Sequence, residues 1–420
     1  MLTGDNESYE AARRLAAGVA LGQALDVRDP ESWIGLDLGV RELAWIRPEL
    51  LHSNAAPSGR RLRWEWNASL PTVTWPRKPG DAELALALCH PDGQIREAAL
   101  GQSGGRLALF ALVVIRCADW AGPVRERARA LLAEAPPQQL AAHAALILRV
   151  GRRSRGGFAQ DLLTRALHTG PASQAEALLN SGDRATARLA HRVAVERRLL
   201  PGSRLARTAA RHPDVVVQDL CANAAVATLG EGTGEGVFDE FAAILAPLLG
   251  SRQPWVRSAG VTALRRAGRH ADAEPYLTDR SAVVRACARW VLRRGGTDPA
   301  PLYRAMCADP AAQPAAAAGL GECGVREDTD LVRALLAHPA PGVRACAVAG
   351  VRALEAVSVA DVQPLLNDPS VAVVRQATKA LLPRAGHVPR EQLRALLTED
   401  RPRHQRVAAI RLLRAAGVHT

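Results

Sequence analysis

The chain has 420 residues, of which 48% are hydrophobic, 23% charged and only 4% aromatic, an apolar share that excludes a disordered chain. Its longest uninterrupted apolar run, 107–115, spans nine residues, about half of the ~20 that a membrane-spanning helix needs. The formal net charge of +12 points toward an anionic partner, but every basic residue except Lys78 and Lys379 is arginine. Such a bias is also what a GC-rich genome imposes, so arginine placement is more informative than arginine abundance.

In chain order, the first 80 residues stand apart from the rest. Arg13-Arg14 precedes an apolar stretch at 15–25 with the outline of a twin-arginine export signal. Asp5, Glu7 and Glu10 come first, however, and Gly18, Gly22 and Gln23 interrupt the stretch, so it reads as a capping helix. Five of the eight tryptophans fall in this region. The alternation at 62–66 and 72–75 around a turn-like 67–71 predicts a short hairpin. Residues 1–80 are therefore expected to form a helical or irregular cap.

From 81 onward the chain repeats itself. A polar or proline turn is followed by an apolar residue, then arginine, then small and aliphatic residues at helical spacing. The recurring arginines are Arg96, Arg125, Arg257, Arg285, Arg344, Arg375 and Arg406, with separations of 29, 28, 31 and 31 and a gap of 59 that is two units long. Gln218 stands where arginine is expected in a degenerate copy at 212–229. Second apolar stretches lie between the copies, so one unit is helix, turn, helix in about thirty residues. Such a pair cannot bury its apolar face alone and must stack on the next.

These copies resemble the HEAT-like repeat, in the short form first named from phycobilisome-lyase proteins, whose core is a Pro-x-Val-Arg-x-x-Ala-x-x-Ala-Leu helix. The match is best at 119–132, 251–264, 279–292, 338–354 and 367–382, and the array covers 81–420, most regularly from 251. The resemblance implies an all-α, right-handed α-solenoid of about ten helix pairs. It implies little about activity, because HEAT-like families include scaffolds, nucleic-acid binders, chromophore lyases and alkylpurine DNA glycosylases. In that family the first arginine of each copy often pairs with an aspartate of an adjacent turn, here Asp279, Asp368 or Asp400, forming a ladder that holds the repeats in register.

No catalytic or metal motif emerges. The seven cysteines are scattered without a C-x-x-C pair, as expected of small, reduced core residues in a cytoplasmic protein. His90, His212 and His338 recur before proline at one point of the repeat and read as helix-end punctuation. The glycine run 230–236 lacks the Gly-Lys-Ser/Thr ending of a phosphate loop and carries two glutamates. Trp120, Trp255 and Trp290 read as buried filler. Neither a cofactor nor a metal is expected.

The basic excess is blocky: +9 over 149–211, +7 over 252–294 and +7 over 375–420. Arg285, Arg289 and Arg293 fall on one helical stripe, Arg344 and Arg352 repeat its offset, and Arg375 with Lys379 repeats its first half. With the first arginine of each stripe assigned to the ladder, Arg289, Arg293, Arg352 and Lys379 are the candidate binding residues. The expected function is a non-enzymatic, monomeric scaffold that binds a protein or peptide with acidic groups on a concave surface. The alternative is a sequence-indifferent binder of DNA or RNA backbone on the same ridge, and more remotely a DNA glycosylase.

Overall fold

The computed structural model describes residues 3–47, 78–229 and 235–417. All regular structure among them is helical. The chain divides after Leu199 into two compact units. The hairpin expected at 62–75 lies outside the described residues, as does most of the glycine run.

In the first unit, Asp29 caps helix Pro30–Ile46 by accepting from the backbone N–H groups of Glu31 and Ser32, and Pro30 occupies its first turn. Helix Thr3–Ala16 crosses it closely. A Cβ at Gly39 would lie 2.1 Å from the carbonyl oxygen of Ser8, and one at Gly35 would lie 2.5 Å from the Ser8 hydroxyl. Two glycines four apart thus make the smooth strip that the crossing requires. Both helices pack on Asp81–Cys89, so the cap is continuous with the first repeat. The stretch 15–25 holds the end of the first helix, a turn at Gly18 and the short helix Leu21–Ala24.

From 81 onward the helices come in antiparallel pairs, and the second helix of a pair carries the recurring arginine near its start. In the second unit these second helices are Val215–Ala227, Pro254–Ala263, Ala282–Arg294, Ala316–Cys323, Pro341–Ala353, Val371–Leu381 and Arg403–Ala415. Consecutive members pack on one another, except that Ala282–Arg294 and Ala316–Cys323 are joined through the ion pairs of Arg285 and Arg289 with Glu322; this is the α-solenoid arrangement. The double gap between Arg285 and Arg344 is filled by the pair Pro299–Met306 and Ala316–Cys323, whose second helix begins without arginine. Val284, Ala288, Val291 and Leu292 are buried on one helix, as are Val343, Ala347, Gly350 and Val351 on the equivalent one.

Some of the second helices are followed by a left-handed residue. After Ala282–Arg294 it is Gly296 (φ 84°), and the N–H of Thr297 donates to Leu292 O at 3.0 Å. Pro341–Ala353 ends the same way on Glu355 (φ 57°), with the N–H of Ala356 donating to Val351 O at 2.9 Å. Glu355 is exposed, so Glu355→Gly should relieve left-handed strain and raise stability by about 0.5–1 kcal/mol. A urea titration followed by circular dichroism measures this as a shift in midpoint at unchanged slope.

Candidate interaction surface

Each copy of the recurring turn opens with a hydrogen-bond acceptor. Asp119, Asp279 and Asp368 accept from the backbone N–H two residues on, at 2.8–2.9 Å. At the same point, His90, His212 and His338 accept through Nδ1 at 3.0–3.1 Å. The arginine six residues further on donates back through Nη1 to carbonyls of the same turn: Arg96 to His90 and Pro91, Arg257 to Ser251 and Arg252, Arg344 to His338 and Pro339. Its Nε and Nη2 fork the aspartate of the following turn. Arg96 meets Asp119 at 2.9 and 2.8 Å, Arg257 meets Asp279 at 2.8 and 2.8 Å, and Arg344 meets Asp368 at 2.7 and 3.0 Å. One guanidinium therefore closes its own turn and fixes the next helix start, a bidentate geometry that lysine could not supply.

Burial by itself raises the pKa of Asp119, but the Arg96 fork and the Arg116 charge outweigh it and hold the carboxyl below its ordinary value. Asp279 and Asp368 are lowered in the same way, against burial, by Arg257 and Arg344. Around Asp119 the network extends. Arg116 donates to Asp119 Oδ2 at 3.0 Å and also pairs with Asp37 of the cap helix. Arg41 lies 3.5 Å from the same Asp37. Arg96, Arg116, Asp37 and Asp119 are all buried.

The other predicted ladder residues depart from this scheme. Arg125 closes its own turn on the carbonyls of Asp119 and Trp120 and takes no carboxylate among the described residues. Arg285 closes its turn on Asp279 O, but its fork reaches Glu322 on the next second helix. Arg406 lies in the last described repeat, and its Nε has no hydrogen-bond partner among the described residues. Arg375 is off register. Asp368 and Arg375 are seven residues apart where the other copies have six, so buried Val374 occupies the ladder position and Arg375 is exposed.

The candidate binding residues also separate. Arg289 is buried and donates to Glu322 Oε2 at 2.5 Å, so it belongs with the paired arginines, not on an offered surface. Arg293, Arg352 and Lys379 are exposed, with no ion pair among the described residues. The buried pattern makes Arg265, Arg293, Arg352 and Arg414 equivalent, each at the carboxyl-terminal end of a second helix. Lys379 takes the place of Trp290, one turn earlier. There these cations face the negative end of the helix, a setting worth about 0.3–1 kcal/mol each.

Trp120, Trp255 and Trp290 are not buried filler: they are 52%, 64% and 40% exposed. Val284, Ala288, Val291 and Leu292 form the buried stripe, and Trp290 falls off it. The guanidinium carbons of Arg265 and Arg294 lie 5.5 and 5.7 Å from the Trp290 ring centroid, and that of Arg96 lies 5.5 Å from Trp120. The helical periodicity carried this signal, but size and hydrophobicity alone placed the tryptophans inside.

Among the described residues, no group of three or more His, Cys, Asp or Glu is placed to hold a metal, and no helix is long and apolar enough to cross a membrane. The cysteines are all unpaired. Burial pushes the Cys117 and Cys307 thiols up to about 11 and Cys221 up to about 12, which keeps them protonated and poor nucleophiles near neutral pH.

No family model and no curated protein matches the sequence. Among solved structures, one engineered protein is 18% identical over 80% of this chain and 99% of its own, with a TM-score of 0.22. A second engineered protein is 17% identical over 73% and 96%, with a TM-score of 0.14. Kap121p is 13% identical over 98% of this chain and 54% of its own, with a TM-score of 0.34, so the match spans about half of that protein. The fold assignment rests on the helix pairs themselves.

Proposed function

We propose that the protein is a non-enzymatic interaction scaffold that binds an acidic protein or peptide segment along the basic helix ends of its second unit. The observation that carries this reading is the division of the arginines into two sets. Those at the ladder position of a regular repeat are sunk into carbonyls and carboxylates, whereas Arg265, Arg293, Arg352 and Arg414 stand exposed at one equivalent helix end without a carboxylate partner among the described residues. Stacked helices lie about 8–10 Å apart, close to three residues of an extended chain at about 3.3 Å each. An extended segment with carboxylates at matching intervals can therefore meet successive cations. Contact would fall along the carboxyl-terminal ends of these helices. The unpaired cysteines are compatible with a reducing, cytoplasmic setting.

The test is fluorescence anisotropy of a labelled glutamate-rich peptide, titrated with the protein at several salt concentrations beside labelled duplex and single-stranded oligonucleotides. The scaffold reading expects peptide binding that weakens as salt rises and fails with Arg293→Ala/Arg352→Ala. Preferential oligonucleotide binding, with log K falling linearly in log salt, would replace it with a nucleic-acid surface.

A further inference from the structure

Trp290 and its two arginines are the most specialised feature of that surface. The tryptophan sits in the penultimate turn of Ala282–Arg294. Arg294 comes from the same helix four residues on, while Arg265 comes from the turn after the neighbouring helix Pro254–Ala263. Neither arginine has a carboxylate partner among the described residues. The nearby Asp272 is already paired with Arg269, and Glu322 is taken by Arg285 and Arg289.

Two like charges held against one ring repel each other. The indole offsets this by about 0.5–1 kcal/mol per cation at an exposed site, which leaves the pair short of an anion. A ring contact also restricts each guanidinium while leaving its N–H edge free to fork a carboxylate. Much of the ordering cost of binding is thereby met before the ligand arrives. A nucleobase would have to compete with the guanidiniums for the indole, whereas a carboxylate approaches the N–H edges and displaces nothing.

We infer that Arg265, Trp290 and Arg294 form the anchor of the interaction surface, receiving a carboxylate of an acidic peptide segment between the two guanidiniums. This rests on the scaffold reading and names the residues that dominate it. Trp255 is more exposed than Trp290 and lies on the adjacent helix without an arginine against its ring among the described residues, so it serves as an internal control.

The experiment is the same anisotropy titration with the glutamate-rich peptide, on Trp290→Ala, Arg265→Gln, Arg294→Gln and Trp255→Ala. Loss of about tenfold in affinity is expected for each arginine variant and about fivefold for Trp290→Ala, with Trp255→Ala unchanged. Circular dichroism melting verifies folding, and Trp290→Phe, which keeps a ring, should recover part of the binding if Trp290→Ala loosens the helix. Peptide binding that is indifferent to all three anchor variants would overturn the anchor and leave the scaffold reading intact. Absence of peptide binding at any salt would overturn both. So would oligonucleotide binding that outcompetes the peptide and tracks the same variants.

Discussion

Asp119→Asn is expected to cause the largest single loss of stability in the molecule, about 3–5 kcal/mol. The substitution keeps the shape of the side chain and its acceptor for the N–H of Ala121. It removes the charge that faces both Arg96 and Arg116, two guanidiniums almost wholly withdrawn from water. Arg116 retains Asp37, but Arg96 keeps only carbonyl partners. Hydrogen exchange should localise the damage to the first unit, with protection lost in Asp81–Cys89 and Gly93–Gly101. Adding Arg96→Met should recover part of the loss, because the uncompensated charge then goes too. A loss below about 1 kcal/mol would mean that the network is not what joins cap to array.

The same ion pairs set the response to acid. The folded pKa values of Asp119, Asp279 and Asp368 lie below the free value of 3.8. Their stabilisation is therefore fully present above that value and is lost as pH falls through the folded pKa. Wild-type stability should drop steeply below about pH 4, and Asp119→Asn should flatten that dependence in the first unit.

The second large effect is steric. Helices Ala316–Cys323 and Pro341–Ala353 cross at Gly321 and Gly350. A Cβ on Gly321 would lie 2.5 Å from Gly350 Cα, and one on Gly350 would lie 2.4 Å from Ala317 O. Both obstacles are backbone, so no rotamer change relieves them. Alanine at either site gains about 1 kcal/mol of helix propensity, but the crossing must open, and a net loss of about 3 kcal/mol is expected. The double variant should lose less than the sum of the two, since one displacement accommodates both methyl groups. Gly342→Ala, whose Cβ meets nothing nearer than a Pro314 side-chain atom at 3.8 Å, should be neutral or slightly stabilising. Urea midpoints of the four variants decide the matter.

The repeat was legible in the sequence because its turn and arginine recur at nearly constant spacing, and that recurrence is a direct consequence of the relay from guanidinium to next turn. The histidines at the turn were legible for the same reason. What escaped depends on single-residue register and on distant partners. One extra residue between Asp368 and Arg375 moves the arginine about 100° around its helix and puts Val374 in its place. Glu322 captures both Arg285 and Arg289 from 37 and 33 residues away, which no local pattern signals. The fusion of the cap to the array through Asp37 and Arg116 is equally non-local. The tryptophans were misplaced for a different reason: their bulk argues for burial, while helical phase sets Trp290 on the outside beside two arginines.

On the proposed reading, position in the repeat divides the arginines into those that hold the fold and those that meet a partner. One paired measurement tests it most directly: the melting midpoint and the glutamate-rich-peptide affinity of Arg257→Ala and Arg352→Ala, determined side by side. Arg257→Ala should lower the midpoint markedly, whereas Arg352→Ala should leave the midpoint within the effect of a surface substitution and weaken the peptide severalfold. A stable Arg257→Ala, or an Arg352→Ala that melts early and binds as well as the wild type, would contradict the account.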